Sequence, residues 1–179
     1  YGAKAGEVIV MDPRTGGILA LAATPNYDPA QFVKFDRRLY KNPAVADSYE
    51  PGSTFKVLIM AAALEAGVVT PETRCDICTS PLTIGKYTLR TWNNEYHPDS
   101  TMAEVIDHSD NIGMVFVGQK LTKPRLVEFL KAFGLGQPTG IDLQEETVPS
   151  LRPDNNWGDI DLATASFGQG IAITGMQML

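Results

Sequence analysis

The amino-acid sequence predicts a mixed α/β fold, and three observations carry that reading. Two strand-like runs, Glu7 to Met11 and Ile18 to Ala22, flank the turn-rich stretch Asp12-Pro13-Arg14-Thr15-Gly16-Gly17. An almost wholly apolar helix, Val57-Leu58-Ile59-Met60-Ala61-Ala62-Ala63-Leu64, follows Glu50-Pro51-Gly52-Ser53. A one-sided helix is expected from Thr122 to Phe133, with Leu126, Val127, Leu130 and Phe133 sharing a face.

Taken in order, the strand pair is followed by a loop-like region from Thr24 to Asp47 that contains Pro25, Pro29 and Pro43. Pro51-Gly52 reads as a turn feeding the apolar helix, and Gly67 as its C-terminal stop. Residues 68–100 are rich in turns and short polar stretches. Thr101-Met102-Ala103-Glu104 has the form of a capping box, which starts a short helix through Asp107. Ile112 to Val117 is apolar and reads as a further buried element. Thr122 is the expected cap of the next helix and Gly134 its stop, and a second loop runs from Glu145 to Gly158. No repeat, low-complexity tract or interdomain linker interrupts residues 1–179, so a single domain is expected.

Composition narrows the function classes. The chain has 179 residues, 44% hydrophobic and 20% charged, the profile of a globular protein with a real core. Its 15 basic and 21 acidic residues give a net charge of −6 with no basic cluster, which argues against a nucleic-acid partner. No apolar run approaches the ~20 residues that span a bilayer.

The chemistry concentrates at Ser53 and Lys56. Residues three apart share a helix face, so a hydroxyl and an amine are held side by side above hydrocarbon. A serine hydroxyl is a weak nucleophile until a neighbouring base takes its proton. A free lysine, with a pKa of about 10.4, is almost entirely charged at neutral pH. Burial penalises the ammonium and can lower that pKa by ~3–5 units. The reading therefore requires the Lys56 amine to lie against the Ser53 oxygen in a dry crevice. Ser53 in the first turn would also feel the positive end of the helix dipole, where an oxyanion is stabilised. The plain alternative makes Ser53 an N-cap and Lys56 a solvated first-turn residue.

A second element is Ser109-Asp110-Asn111, a polar interruption between two apolar segments. A hydroxyl there can relay a proton and an amide can hold a carbonyl. An ordinary loop is the competing explanation, because these residue types favour turns.

Together the S-x-x-K and S-D-N patterns resemble those of the penicillin-binding proteins and serine β-lactamases. The wider sequence is similar to the transpeptidase domain of a class B, monofunctional penicillin-binding protein. The similarity begins at Gly6-Glu7-Val8-Ile9-Val10-Met11-Asp12-Pro13-Arg14-Thr15-Gly16-Gly17-Ile18-Leu19-Ala20 and passes through Tyr49 to Lys56 and Ser109-Asp110-Asn111. It continues at Thr139-Gly140-Ile141-Asp142-Leu143 and Phe167-Gly168-Gln169-Gly170. The resemblance implies an antiparallel sheet flanked by helices, with the Ser53 helix beneath it. It implies that Ser53 is the acylated nucleophile, Lys56 its general base, Ser109 the proton shuttle to the leaving amine, and Asn111 the binder of the substrate amide. The implied activity is D,D-transpeptidation of peptidoglycan stem peptides through an acyl-serine, blocked by β-lactams that acylate the same serine, with no cofactor. The resemblance also implies a cell-wall polymerase partner, a membrane anchor upstream, and a location outside the cytoplasm.

No lysine in the chain is followed by Thr-Gly or Ser-Gly, the family's third motif. That motif lies downstream of the Phe167 block in the family, so the chain is expected to be a C-terminally truncated, incomplete domain, inactive on its own. Two other functions compete with transpeptidation. A serine β-lactamase needs a second base to bring water to the acyl-enzyme, and no convincing E-x-x-x-N segment is present. A β-lactam sensor domain usually shares the class D pattern, and Asn111 speaks against it.

Cys75-Asp76-Ile77-Cys78 leaves two readings open. The only two cysteines lie upstream of the only two histidines, His97 and His108. A local disulfide suits an exported protein, and a Cys₂His₂ zinc site is the alternative.

Overall fold

The structure is a computed structural model and describes residues 2–179. Its strands are β1 (Gly6–Met11), β2 (Ile18–Thr24), β3 (Ser48–Tyr49), β4 (Leu82–Ile84), β5 (Tyr87–Leu89) and β6 (Ile173–Thr174). Its α-helices are α1 (Pro43–Ala46), α2 (Lys56–Glu65), α3 (Met102–Asp107), α4 (Asn111–Leu121), α5 (Lys123–Ala132) and α6 (Asp159–Ala165). Among the described residues the strands form three antiparallel pairs, β1–β2, β3–β6 and β4–β5. This mixture of helices and antiparallel strands is the expected α/β class. The residues group into two compact units.

The first unit comprises the chain up to Tyr49, Gly134–Ser150 and Ala172–Leu179. The β1–β2 pair runs from Gly6 opposite Thr24 to Met11 opposite Ile18, with an irregularity between Val10 and Met11. Its turn closes where the Asp12 amide donates to the Gly17 carbonyl at 2.9 Å and the Gly16 amide to the Asp12 carbonyl at 2.9 Å. Gly16 sits at φ +71°, a region glycine enters without steric cost. The proline-containing stretch expected to be loop carries short 3₁₀ turns at Pro29–Lys34 and Arg37–Tyr40 and the single-turn α1. Asp28, Asp36 and Asn42 cap these turns by accepting backbone amides two residues on, a local bond that needs no hydrophobic periodicity.

The second unit, Glu50–Phe133 and Leu151–Ile171, is built around α4. Ile112, Met114, Val115, Phe116, Val117 and Leu121 are buried on all sides of this helix, the pattern of a helix enclosed by others. It packs on α2, where Ile59, Ala62 and Ala63 are buried, and on α6, where Leu162, Ala163 and Ala165 are buried. At Gly118 a Cβ would collide with the Ser166 hydroxyl, so glycine sets how closely α4 and α6 approach. Helix α6 carries no periodic signal long enough to distinguish it from the surrounding turns, and its seven residues were not expected from the sequence.

The capping box of α3 forms as expected: the Glu104 amide donates to Thr101 Oγ1 at 3.3 Å and the Thr101 amide to Glu104 Oε2 at 2.8 Å. Gly67, at φ +64°, ends α2, and the Val68 amide reaches back to the Ala63 carbonyl at 3.1 Å. Thr122 differs from expectation. It lies at φ +70° and its side chain caps nothing; Pro124 in the first turn of α5 sets the helix start instead. Phe133 falls just past α5 and is exposed rather than on the buried face.

Candidate active site

Ser53 does not sit in the α-helix itself. Gly52–Phe55 form a 3₁₀ turn that leads into α2, and the Lys56 amide donates to the Ser53 carbonyl. A 3₁₀ turn places side chains three apart in line, so the serine and lysine stay neighbours. The turn is held from outside its own sequence. The Gly52 amide donates to the Gly168 carbonyl at 2.9 Å, and the Gly170 amide donates to Glu50 Oε1 at 2.9 Å. Thr54 Oγ1 donates to the Pro51 carbonyl at 2.7 Å. Phe55 is fully buried beneath the turn, while Ser53 is exposed above it.

Lys56 is only 2% exposed, and its amine is enclosed by the segment that links α3 to α4. Nζ donates to the Ser109 carbonyl at 2.7 Å, to Asn111 Oδ1 at 2.8 Å and to Ser109 Oγ at 3.0 Å. These three acceptors match the three protons of an ammonium. Among the described residues, Ser53 Oγ is not a hydrogen-bond partner of Nζ. The contact expected between the amine and the Ser53 oxygen is replaced by the grip of Ser109 and Asn111, which supply one acceptor for each ammonium proton.

Burial pushes the Lys56 amine down from the ordinary 10.5 to about 8, against the opposing pull of the Asp110 charge. At that value roughly one molecule in ten carries a neutral amine at pH 7. A neutral amine has two protons and a lone pair. The Ser109 carbonyl and Asn111 Oδ1 can keep both protons, which leaves the lone pair to accept a proton from a hydroxyl.

The segment that reaches Lys56 is shaped by its own sequence. Ser109 lies at φ +52°, a conformation uncommon for a residue with a Cβ and concentrated at functional sites. Asp110 caps α4, with Oδ1 accepting from the Ile112 amide at 2.7 Å and the Gly113 amide at 3.1 Å. Asn111 opens α4, and its Nδ2 donates to the Arg90 carbonyl at 2.9 Å. The side-chain amide therefore bridges Lys56 and the segment just after β5, with one Nδ2 proton left over.

The roles of four contributors were not read from the sequence. Asp110 carries a readable signal, an N-cap residue before an apolar run. Gly168 and Glu50 lie in the family-like blocks, but their bracing role depends on contacts with distant backbone and leaves no local signal. Gly168 has φ +79°, and a Cβ there would overlap the Gly52 backbone. The Arg90 carbonyl is likewise invisible as a motif.

The cysteine alternatives resolve to a disulfide between Cys75 and Cys78, both fully buried. His97 and His108 stack ring on ring, 4.0 Å between centroids. Among the described residues no group of three or more His, Cys, Asp or Glu side chains could hold a metal.

Comparison with known proteins identifies the family. Residues 6–179 match the family model described as the penicillin-binding protein transpeptidase domain. This chain belongs to that family. It is 38% identical over 172 residues to stage V sporulation protein D of Bacillus subtilis, covering 96% of the chain and 27% of that protein. It is 35% identical over 176 residues to the probable peptidoglycan D,D-transpeptidase PenA of Neisseria gonorrhoeae, covering 98% of the chain and 30% of that protein. The chain thus spans under a third of these curated relatives. Among solved structures, it matches penicillin-binding protein 3 of Mycobacterium tuberculosis in complex with aztreonam at TM-score 0.86 and 30% identity, over 97% of the chain and 39% of that one. Membership in the penicillin-binding protein transpeptidase family accords with the resemblance first seen in the Ser53 and Ser109 motifs. Among the described residues no helix is long and apolar enough to cross a membrane.

Proposed function

We propose that this chain is the nucleophile-bearing part of a peptidoglycan D,D-transpeptidase that cross-links stem peptides through an acyl-serine. The observation that carries the reading is the buried Lys56 amine held by Ser109 and Asn111, 53 and 55 residues away in sequence, one 3₁₀ turn from Ser53. In the first step Ser53 Oγ attacks the scissile carbonyl carbon while its proton passes to the neutral Lys56 amine. The C–N bond then breaks, and the proton travels through Ser109 Oγ to the departing amine. In the second step an amine from another stem peptide attacks the Ser53 ester, and the same groups return the proton to the serine oxygen. The free Nδ2 proton of Asn111 is suited to the substrate carbonyl. A general base of this kind contributes about 10²–10⁴ in rate.

β-Lactams would acylate the same oxygen, and no cofactor is required. The curated relatives carry names of peptidoglycan synthesis, so the lactamase and sensor readings are not favoured. The disulfide suits an extracytoplasmic setting, the outer face of the cytoplasmic membrane where peptidoglycan is made. The test is intact-mass analysis of the full-length protein after exposure to penicillin. One covalent adduct, mapped to Ser53 and missing from Ser53→Ala, is expected. An adduct that survives this substitution would remove Ser53 from its role.

A further inference from the structure

Asp110 lies between the two residues that grip Lys56, yet the reaction just described gives it no task. It is 2% exposed. Oδ1 is fully engaged by the first amides of α4, whereas the buried Oδ2 has no hydrogen-bond partner among the described residues. An uncompensated buried carboxylate oxygen is costly, and such groups persist where a nearby cation balances them. The Lys56 ammonium interacts with Asp110 by charge and bonds the residues on either side of it.

We propose that Asp110 is a positioning residue for Lys56: its capped carboxylate fixes the turn that presents Ser109 and Asn111 to Nζ, and its unpaired oxygen keeps a negative charge beside that amine. The inference rests on the transpeptidase reading and deepens it. Two physical effects act in one side chain. The cap holds Ser109 at its positive φ by anchoring the next residue to the helix start. The charge opposes the desolvation of the amine and keeps it a stronger base than burial alone would leave it. Lys56 then remains basic enough to take a proton from a serine while still losing its own near neutrality.

Other charged groups lie on the surrounding elements. On α3 these are Glu104, which bonds Thr101, and Asp107, with His108 just beyond the helix. Arg90 follows β5 and offers its backbone carbonyl. On α4 and α5, Lys120, Lys123 and Arg125 stand at the far end from Lys56, and Arg125 bonds the Ala66 carbonyl past the last turn of α2. Asp110 is the charge that raises Lys56.

The test is the pH dependence of penicillin acylation in the full-length protein, comparing wild type with Asp110→Asn and Asp110→Ser. Both variants keep an oxygen for the α4 amides and lose the charge. The acid limb of the profile is expected to move down by at least about half a pH unit, with a several-fold lower plateau, because the amine becomes a weaker base. Asp110→Glu, which keeps the charge and disturbs the cap, should leave the limb within about 0.3 units of wild type while lowering the plateau. Limbs that coincide in wild type and both neutral variants would overturn the proposal. Loss of the fold in both neutral variants would do so too, by making Asp110 a structural cap alone. If the wild type itself is not acylated at Ser53, the transpeptidase reading has failed instead, and mass mapping of the adduct separates the two failures.

Discussion

The amide of Gly52 donates to the carbonyl of Gly168 at 2.9 Å, and the two glycine backbones touch with no side chain between them. This contact ties the loop after α6 to the turn that carries Ser53. Gly168→Ala would force a Cβ into the Gly52 backbone at φ +79°. A loss of about 2–4 kcal/mol in stability and a drop of tenfold or more in acylation are expected. Thermal unfolding with parallel penicillin labelling measures both, and an unchanged acylation rate would show that the turn is held without this contact.

Lys56→Ala removes the amine that three oxygens share. Acylation should fall by about 10²–10⁴, with far-ultraviolet circular dichroism little altered. The Ser109 carbonyl and Asn111 Oδ1 would lose their donor, a cost of about 1–3 kcal/mol unless water enters the space. Single-turnover labelling kinetics provide the measurement. A rate within twofold of wild type would mean that another group accepts the Ser53 proton.

Lys56 also makes stability depend on pH. Its amine is held at about 8 in the folded protein and returns to 10.5 when unfolded. Between those values the unfolded chain binds more protons, so the Lys56 contribution to stability rises as pH climbs from about 8 to about 10.5. The full change is on the order of 3 kcal/mol. Denaturant unfolding of wild type and Lys56→Met across this range isolates it, since other titrating groups cancel in the difference. A difference that stays flat with pH would place the amine in solvent.

The Cys75–Cys78 bridge closes a very short loop, so the chain-entropy gain is only about 2 kcal/mol. Cys75→Ser combined with Cys78→Ser should lower the unfolding temperature by several degrees, and chelators should have no effect on the native protein. Destabilisation by a chelator would restore the zinc alternative.

Much of the local structure was readable before the fold was known. The capping box at Thr101, the stop at Gly67 and the turn at Asp12 to Gly17 each depend on residues a few positions apart, and each formed where it was expected. Thr122 stands at the N-cap position of α5 and Gly134 follows its end at φ +84°, as expected, but the threonine side chain makes no cap bond and Pro124 fixes the first turn. Asp110 was legible as an N-cap, but its burial beside Lys56 was not.

By itself, the sequence pointed to the two pairs of candidate groups, Ser53 with Lys56 and Ser109 with Asn111, because the members of each pair lie only two or three residues apart. Only the tertiary structure decided that the lysine amine turns to Ser109 and Asn111, that Asp110 stands beside it, and that Gly168 braces the Ser53 turn. Those contacts span from about 50 to more than 100 residues. The Lys56 contacts arise from packing α4 against α2 and the Gly168 contact from the loop after α6, which bring together groups whose spacing along the chain carries no trace of their meeting.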